Sequence, residues 1–357
     1  MQFFENFSRQ SWLLLIATLI ILKLILFVFF KDFLLGLAGG GNDSNYYHAV
    51  AIGNSFVRNE FNLWGYYLYL LNTLGLYNRE LLALVFFSMS ISLLPILYYK
   101  IIFYEKRSKA GIFSFFIMVF YPTVFFYSFD IYRDVFLLVL TLLSLYFFKK
   151  YLESRFLWSF FYLLFFLLIA YIAVYLRIYL GASLFIAFII YALINKFNVR
   201  LYFLLFSYFI SVVVFYALGF FDAITLYRGI DGFESGGSTL GVGLYGKDPV
   251  TFLLLYSYSF LMQAMGFFLV NPSAYIMFIT ESFFFILALF YILKNPKFVK
   301  GFVLFLIIFF VTYTTFWVMG NDNLGTSLRL RMPSYSAIIA AALIIHQTKL
   351  RLLYRNV

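Results

Sequence analysis

Ten stretches of this chain are apolar enough to lie in a bilayer, and most are long enough to cross one: 12–30, 81–99, 111–127, 135–148, 156–175, 178–194, 201–220, 274–293, 301–319 and 335–347. A helix rising 1.5 Å per residue needs about 20 apolar residues to cover roughly 30 Å of hydrocarbon. With no water to satisfy backbone N–H and C=O groups there, such runs must be helical. The expected fold is therefore all-α, a polytopic membrane protein of about ten transmembrane helices, forming one membrane domain over 1–357. The runs 135–148 and 335–347 are short, so their ends are soft. The run 12–30 is too long for a signal-peptide core and lacks a clear cleavage site, so it reads as a retained anchor. No repeat is visible, and no soluble domain fits between the runs.

Composition narrows the class further. Only 11% of the 357 residues are charged and 64% are apolar, against about 25% and 45–50% in ordinary soluble domains. A soluble globular chain is excluded. The absence of cysteine removes disulfide frameworks, thiol catalysis and cysteine-ligated metals, and the two histidines, His48 and His346, cannot build a histidine metal cluster.

The connecting segments alternate in charge. Arg9, Lys100 with Lys106-Arg107-Lys109, Lys149-Lys150 with Arg155, Lys196 with Arg200, Lys294/Lys297/Lys300 and Lys349/Arg351/Arg355 mark one side. These 16 basic residues face only three acids, Glu5, Glu105 and Glu153, whereas the other side holds nine basic residues and eleven acids. The positive-inside rule makes the first set cytoplasmic, with both termini inside. The net charge of +11 is thus a topology signal and implies no nucleic-acid partner. The apolar run 250–270 breaks the alternation if it spans, so it reads as re-entrant or interfacial. Two charges, Lys23 and Glu281, lie within spans.

Function is expected on the outer side, where loops 31–80, 128–134, 221–273 and 320–334 would form the active-site face. Seven of the nine outer basic residues are arginine (Arg58, Arg79, Arg133, Arg177, Arg228, Arg329 and Arg331), against six of the sixteen inside. Guanidinium forks suit phosphate and carboxylate, although pairing with outer acids and headgroup anchoring use arginine equally well. The first outer loop opens Gly39-Gly40-Gly41-Asn42-Asp43-Ser44-Asn45-Tyr46-Tyr47-His48. Asp43 there is either the cap of a helix running from Tyr46 or a general base, with His48 one turn on as the runner-up. Trp64, Tyr66, Tyr67, Tyr69 and Leu70 predict a helix lying in the interface. Asp130 and Asp134 stand i, i+4, which on a helix puts them on one face. They either pair with Arg133 or another arginine, the favoured reading, or bind a divalent cation. Arg177 falls in a very short turn, where snorkelling competes with function. If 320–334 is extended, Arg329 and Arg331 point to one face and clamp phosphate oxygens beside Asp322. The stretch 221–250, with Arg228, Asp231, Glu234 and seven glycines, lacks a P-loop ending and reads as a lid or a linker.

The long first outer loop with an early acid, the segment Phe120-Tyr121-Pro122-Thr123 leading to Ser128-Phe129-Asp130-Ile131-Tyr132-Arg133-Asp134, and Gly320-Asn321-Asp322-Asn323-Leu324-Gly325-Thr326-Ser327-Leu328-Arg329-Leu330-Arg331-Met332-Pro333 carry a resemblance. In layout the chain resembles the polytopic GT-C glycosyltransferases. With Arg228 and the glycine-rich stretch after it, it is similar to the Wzy-type repeat-unit polymerases of O-antigen and capsule. The resemblance implies transfer of a sugar or oligosaccharide from an undecaprenyl (polyprenyl) phosphate or pyrophosphate carrier, at the outer face of a bacterial cytoplasmic membrane. Catalysis would fall to Asp43 or His48, and carrier contact to Arg133, Arg228, Arg329, Arg331, Arg177, Asp130 and Asp322. No cofactor is expected, a divalent cation is not favoured, and polysaccharide-assembly proteins are conceivable partners. A single-sugar GT-C transferase and a lipid-linked-sugar flippase are the alternatives.

Overall fold

The computed structural model describes residues 3–37, 42–56, 62–104, 108–197, 201–230 and 238–355. Among them the chain is helical, with one isolated antiparallel bridge between Thr239 and Asn323. Fifteen helices matter here. They are α1 (Arg9–Leu37), α2 (Asn42–Ala51), α3 (Trp64–Thr73), α4 (Arg79–Ile102), α5 (Ala110–Phe120), α6 (Pro122–Tyr127), α7 (Arg133–Glu153) and α8 (Phe156–Leu176). They continue as α9 (Ile178–Phe197), α10 (Leu201–Ala217), α11 (Asp222–Ile230), α12 (Pro249–Ser259), α13 (Pro272–Leu293), α14 (Phe302–Gly320) and α15 (Leu324–Arg355). Eight of them (α1, α4, α7, α8, α9, α13, α14 and α15) are long and apolar enough to cross a membrane, and nine crossings result if the bent pair α10–α11 is one span. The protein is a polytopic helical membrane protein.

The shortfall from ten has local causes. The run 111–127 is broken at Tyr121, because Pro122 has no N–H to continue the helix and restricts the residue before it. The eleven residues of α5 reach only about 16 Å, so the path from Lys109, beside the Lys100 end of α4, to Asp130, beside its Arg79 end, is completed by α6. The run 201–220 stops at Ala217, turns through Gly219, and resumes in α11 at 82°. The run 250–270 forms α12 and one π turn, Phe260–Ala264, and then reverses at Gly266, whose φ is +86°. Conversely, the short runs 135–148 and 335–347 are the middles of the 21-residue α7 and the 32-residue α15. The apolar pattern faded at their polar ends, yet the helices continue.

Helix starts carry their own capping signals. Ser8 accepts from the Ser11 N–H ahead of α1, and Asn78 from Leu81 ahead of α4. Asp248 accepts from Val250 and Thr251 ahead of α12, and Asn271 from Ala274 ahead of α13. In the last two a proline follows at the first helical position, where its missing N–H costs nothing. Exposed apolar side chains such as Leu14, Val28 and Phe29 on α1 and Leu157 and Trp158 on α8 are what a lipid-facing surface requires.

The residues gather into two compact units, one of 1–182 with 340–357 and one of 183–339. In the first unit, helix ends assigned to the same side by charge meet one another. Lys149 Nζ on α7 donates to the carbonyls of Lys100, Ile101 and Phe103 at the end of α4, satisfying acceptors that a helix C-terminus leaves open. Gln347 bridges the Ile102 carbonyl and the Tyr104 N–H, and Glu5 accepts from Ser108 and Lys109. Lys23 is buried in α1 with its ammonium 4.5 Å above the Phe125 ring. In the second unit, α14 and the first half of α15 form the most buried pair, with Phe285 of α13 stacked on Tyr335 at 4.2 Å.

Candidate functional site

In the first unit a single guanidinium organises the site. Arg79, the first residue of α4, sends Nε 2.9 Å to Asp130 Oδ1 and Nη2 to Asp130 Oδ2. Its Nη2 also reaches Ser44 Oγ at 3.3 Å and Asn45 Oδ1 at 2.9 Å. The first turn of α2 is thereby tied to the loop that leads into α7. Burial of Asp130 acts to raise its pKa, but the two-pronged contact with Arg79, the Ile131 N–H and the Ser44 hydroxyl overcome this and hold it below the usual carboxylate range. Trp64, opening α3, fixes the same loop by donating Nε1 to the Ile131 carbonyl at 2.8 Å.

Asp43 and His48 both lie on α2. The helix begins at Asn42, so Asp43 sits half-buried within its first turn and not ahead of a helix starting at Tyr46. His48 is half-buried with Nδ1 2.7 Å from the Tyr77 hydroxyl. Burial pushes the Tyr77 phenol up to about 12, with Arg79 lowering and Asp130 raising it, so this hydroxyl keeps its proton at neutral pH.

Asp130 and Asp134 do not share a helix face. Asp130 precedes α7, which starts at Arg133, because the chain is extended at Tyr132. The two acids take separate arginines: Asp130 takes Arg79, and Asp134 takes Arg177 at 2.9 Å. Asp134 and Arg177 are 2% and 5% exposed, so Arg177 is a buried ion-pair partner and does not snorkel. Arg133 pairs with neither acid and donates Nη1 to the Leu176 carbonyl at 2.7 Å. The α7 N-terminus above it receives no side-chain cap from Tyr132. Among the described residues no group of three or more His, Asp and Glu is arranged to hold a metal ion.

The second unit holds the other predicted residues. Arg228 on α11 is buried and committed to protein partners: Nη1 donates to the Val318 carbonyl at 2.9 Å, and Nη2 donates to Ser259 Oγ at 3.0 Å and to Asp322 Oδ1. The other Asp322 oxygen accepts from the N–H groups of Gly241 and Val242 at 2.8 and 3.3 Å. Arg228 and Asp322 thus brace the loop after the glycine-rich stretch. The residues 231–237, including Asp231 and Glu234, fall outside the described ones.

Residues 324–334 are not extended. They form the start of α15, so Arg329 and Arg331, two residues apart, diverge by about 200° around its axis and make no common clamp. Arg329 is half-buried and reaches Thr326 Oγ1 at 3.3 Å. Arg331, 2% exposed, donates Nε to the Gln263 carbonyl at 2.5 Å, while its Nη2 finds no hydrogen-bond partner among the described residues. One turn on, the Tyr335 hydroxyl lies 3.0 Å from the Ala264 carbonyl and 2.9 Å from Ser282 Oγ. Gln263 and Ala264 end one π turn, and Ser282 ends another, Phe278–Ser282, which also carries the buried Glu281. Wide turns release carbonyls from the helix ladder, and Arg331 and Tyr335 collect two of them.

Arg79, Tyr77 and Gln263 were not singled out by sequence. Arg79 was one outer arginine among seven, and no motif surrounds it. Gln263 is the one amide in an otherwise apolar run, a signal that could have been read. Comparison with protein-family models, with curated proteins and with solved structures finds no match.

Proposed function

We propose that the protein is a membrane glycosyltransferase that takes its donor from a polyprenyl phosphate or pyrophosphate carrier at the outer face of a bacterial cytoplasmic membrane, and that it acts as a repeat-unit polymerase. The observation that supports this reading most is the Arg79 junction. It gathers the α2 turn bearing Asp43, the His48–Tyr77 pair and the Asp130 loop leading to Arg133 into one polar assembly at the helix ends that charge assigns to the outside.

The chemistry follows from that assembly. The acceptor hydroxyl gives its proton to Asp43, and its oxygen attacks the anomeric carbon of the donor. The bond from that carbon to the carrier phosphate oxygen breaks, and the electron pair leaves with the phosphate. Arg133, with N–H groups beyond the one given to Leu176, meets the charge that develops on the leaving group. Arg79 and Asp130 hold the α2 turn in place. The scheme calls for no metal. Arg228 and Asp322 serve as a brace, their groups being engaged by the protein.

The experiment is deletion of the gene, followed by analysis of the lipid-linked saccharides. A polymerase leaves single repeat units on the carrier at the outer leaflet, and long chains vanish. A single-sugar transferase leaves chains lacking one residue. A flippase leaves complete units at the inner leaflet. An unchanged saccharide profile contradicts all three.

The flippase reading has one observation in its favour. The 82° break between α10 and α11 and the reversal of the α12 segment at Gly266 are interruptions of the sort that line transport paths. The leaflet at which units accumulate separates it from the transferase.

A further inference from the structure

The second unit contains a pocket of about 320 Å³ bounded by Tyr216, Gly219, Asp222, Tyr245, Lys247 and Pro249. We infer that this pocket binds a sugar ring of the glycan chain. The inference rests on the transferase reading for its context, and on the following geometry for its content.

The walls are fixed before any ligand arrives. The Tyr216 ring stacks on Phe252 at 3.6 Å, nearly parallel at 6°. Its hydroxyl lies 2.9 Å from the Leu244 and Lys247 carbonyls, and the Lys247 N–H donates to it at 2.9 Å. One phenol thereby pins the loop 244–247 against α10. Asp248 anchors the far end by capping α12. Across the pocket the chain turns at Gly219, whose φ is +75°, and the Asp222 carboxylate folds back over it. A Cβ on Gly219 would stand 3.1 Å from Asp222 Oδ2, so only glycine suits this corner.

The lining states what fits. It carries one carboxylate and one ammonium, so it is balanced in charge, and it contains no arginine fork for a phosphate. Tyr245 is half-exposed and Lys247 and Asp222 are exposed, so the polar groups are reachable. A carboxylate accepts hydroxyl protons, an ammonium donates to hydroxyl oxygens, and an aromatic face takes the C–H face of a ring. A neutral polyhydroxylated ligand uses all three. The volume lies at the small end of ligand pockets, suited to one ring and not to a lipid chain.

The test uses the full protein in nanodiscs of phosphatidylglycerol. Saturation-transfer NMR is recorded with neutral hexoses, N-acetylhexosamines and their disaccharides as probes. At least one probe should bind, and Tyr245→Ala and Asp222→Asn should each weaken it by about tenfold or more, equivalent to about 1.4 kcal/mol. Both residues are exposed, so both variants should retain the elution profile of the unaltered protein. Binding of no probe overturns the inference. So does binding that neither variant weakens. Probe binding that disappears when the nanodiscs are made of phosphatidylethanolamine would reassign the pocket to a zwitterionic lipid headgroup. Loss of sugar binding in the variants supports the pocket even where no transfer is seen. Transfer that persists while the variants bind normally removes the pocket and leaves the transferase standing.

Discussion

Asp43→Asn keeps the shape of the first turn of α2 and its ability to accept N–H groups while removing the base. It should reduce turnover by about 10²–10⁴-fold with unaltered protein level, whereas retained activity with His48→Ala inactive moves the base to His48. Asp130 offers a pH test. Its folded-state pKa is depressed, so its stabilisation is complete above the unfolded value of about 3.9 and is lost as pH falls through the folded value. Asp130→Asn should flatten the acid limb of the stability profile measured by thermal unfolding. Tyr77 has the opposite sign at the alkaline end. Its phenol is raised to about 12, so stability should decline as pH climbs from about 10, and Tyr77→Phe should remove that decline. At this scale the acids and arginines were legible in the sequence but their pairings were not. Asp130 stands close to Arg133 in the chain but bonds Arg79, 51 residues away, because the extended backbone at Tyr132 turns it off the helix.

Among the elements, the breaks distinguish this chain from a plain bundle. Gly266 sits where α12 reverses, and a Cβ there would lie 2.2 Å from Ser282 Oγ. Gly266→Ala should therefore destabilise by about 1–3 kcal/mol through overpacking alone, and more through its positive φ, read as a lower unfolding temperature in detergent. The brace between α11 and the start of α15 should be costlier to cut. Arg228→Met leaves Asp322 buried without its cation and should cost about 3–5 kcal/mol. Adding Asp322→Leu should recover only part, because the Gly241 and Val242 N–H groups then lose their acceptor. The existence of most long helices was legible in the apolar runs, whereas the run 250–270 forms a helix over 249–264 that turns at Gly266. The split of 111–127 was legible in Pro122. The helical course of 324–334 was hidden because its arginines and Pro333 resemble a loop, while its helicity depends on burial that periodicity does not report.

Across the whole molecule, orientation follows from where the basic residues lie. The chain has no cysteine, so single cysteines report cleanly. Leu76→Cys should label from outside intact cells, and Lys300→Cys only after permeabilisation. The reverse pattern would place every residue assigned to the site in the cytoplasm. The central claim is that this protein makes a glycosidic bond at the expense of a carrier phosphate bond. It is tested most directly by reconstituting the purified protein in liposomes with the lipid-linked saccharides extracted from the source cells, and by following the products by mass spectrometry. The expected result is lengthened saccharide on one carrier with release of free polyprenyl phosphate or pyrophosphate, absent with Asp43→Asn and reduced with Arg133→Ala. A saccharide pool that keeps its length and its carrier linkage, whether or not it changes leaflet, would contradict it.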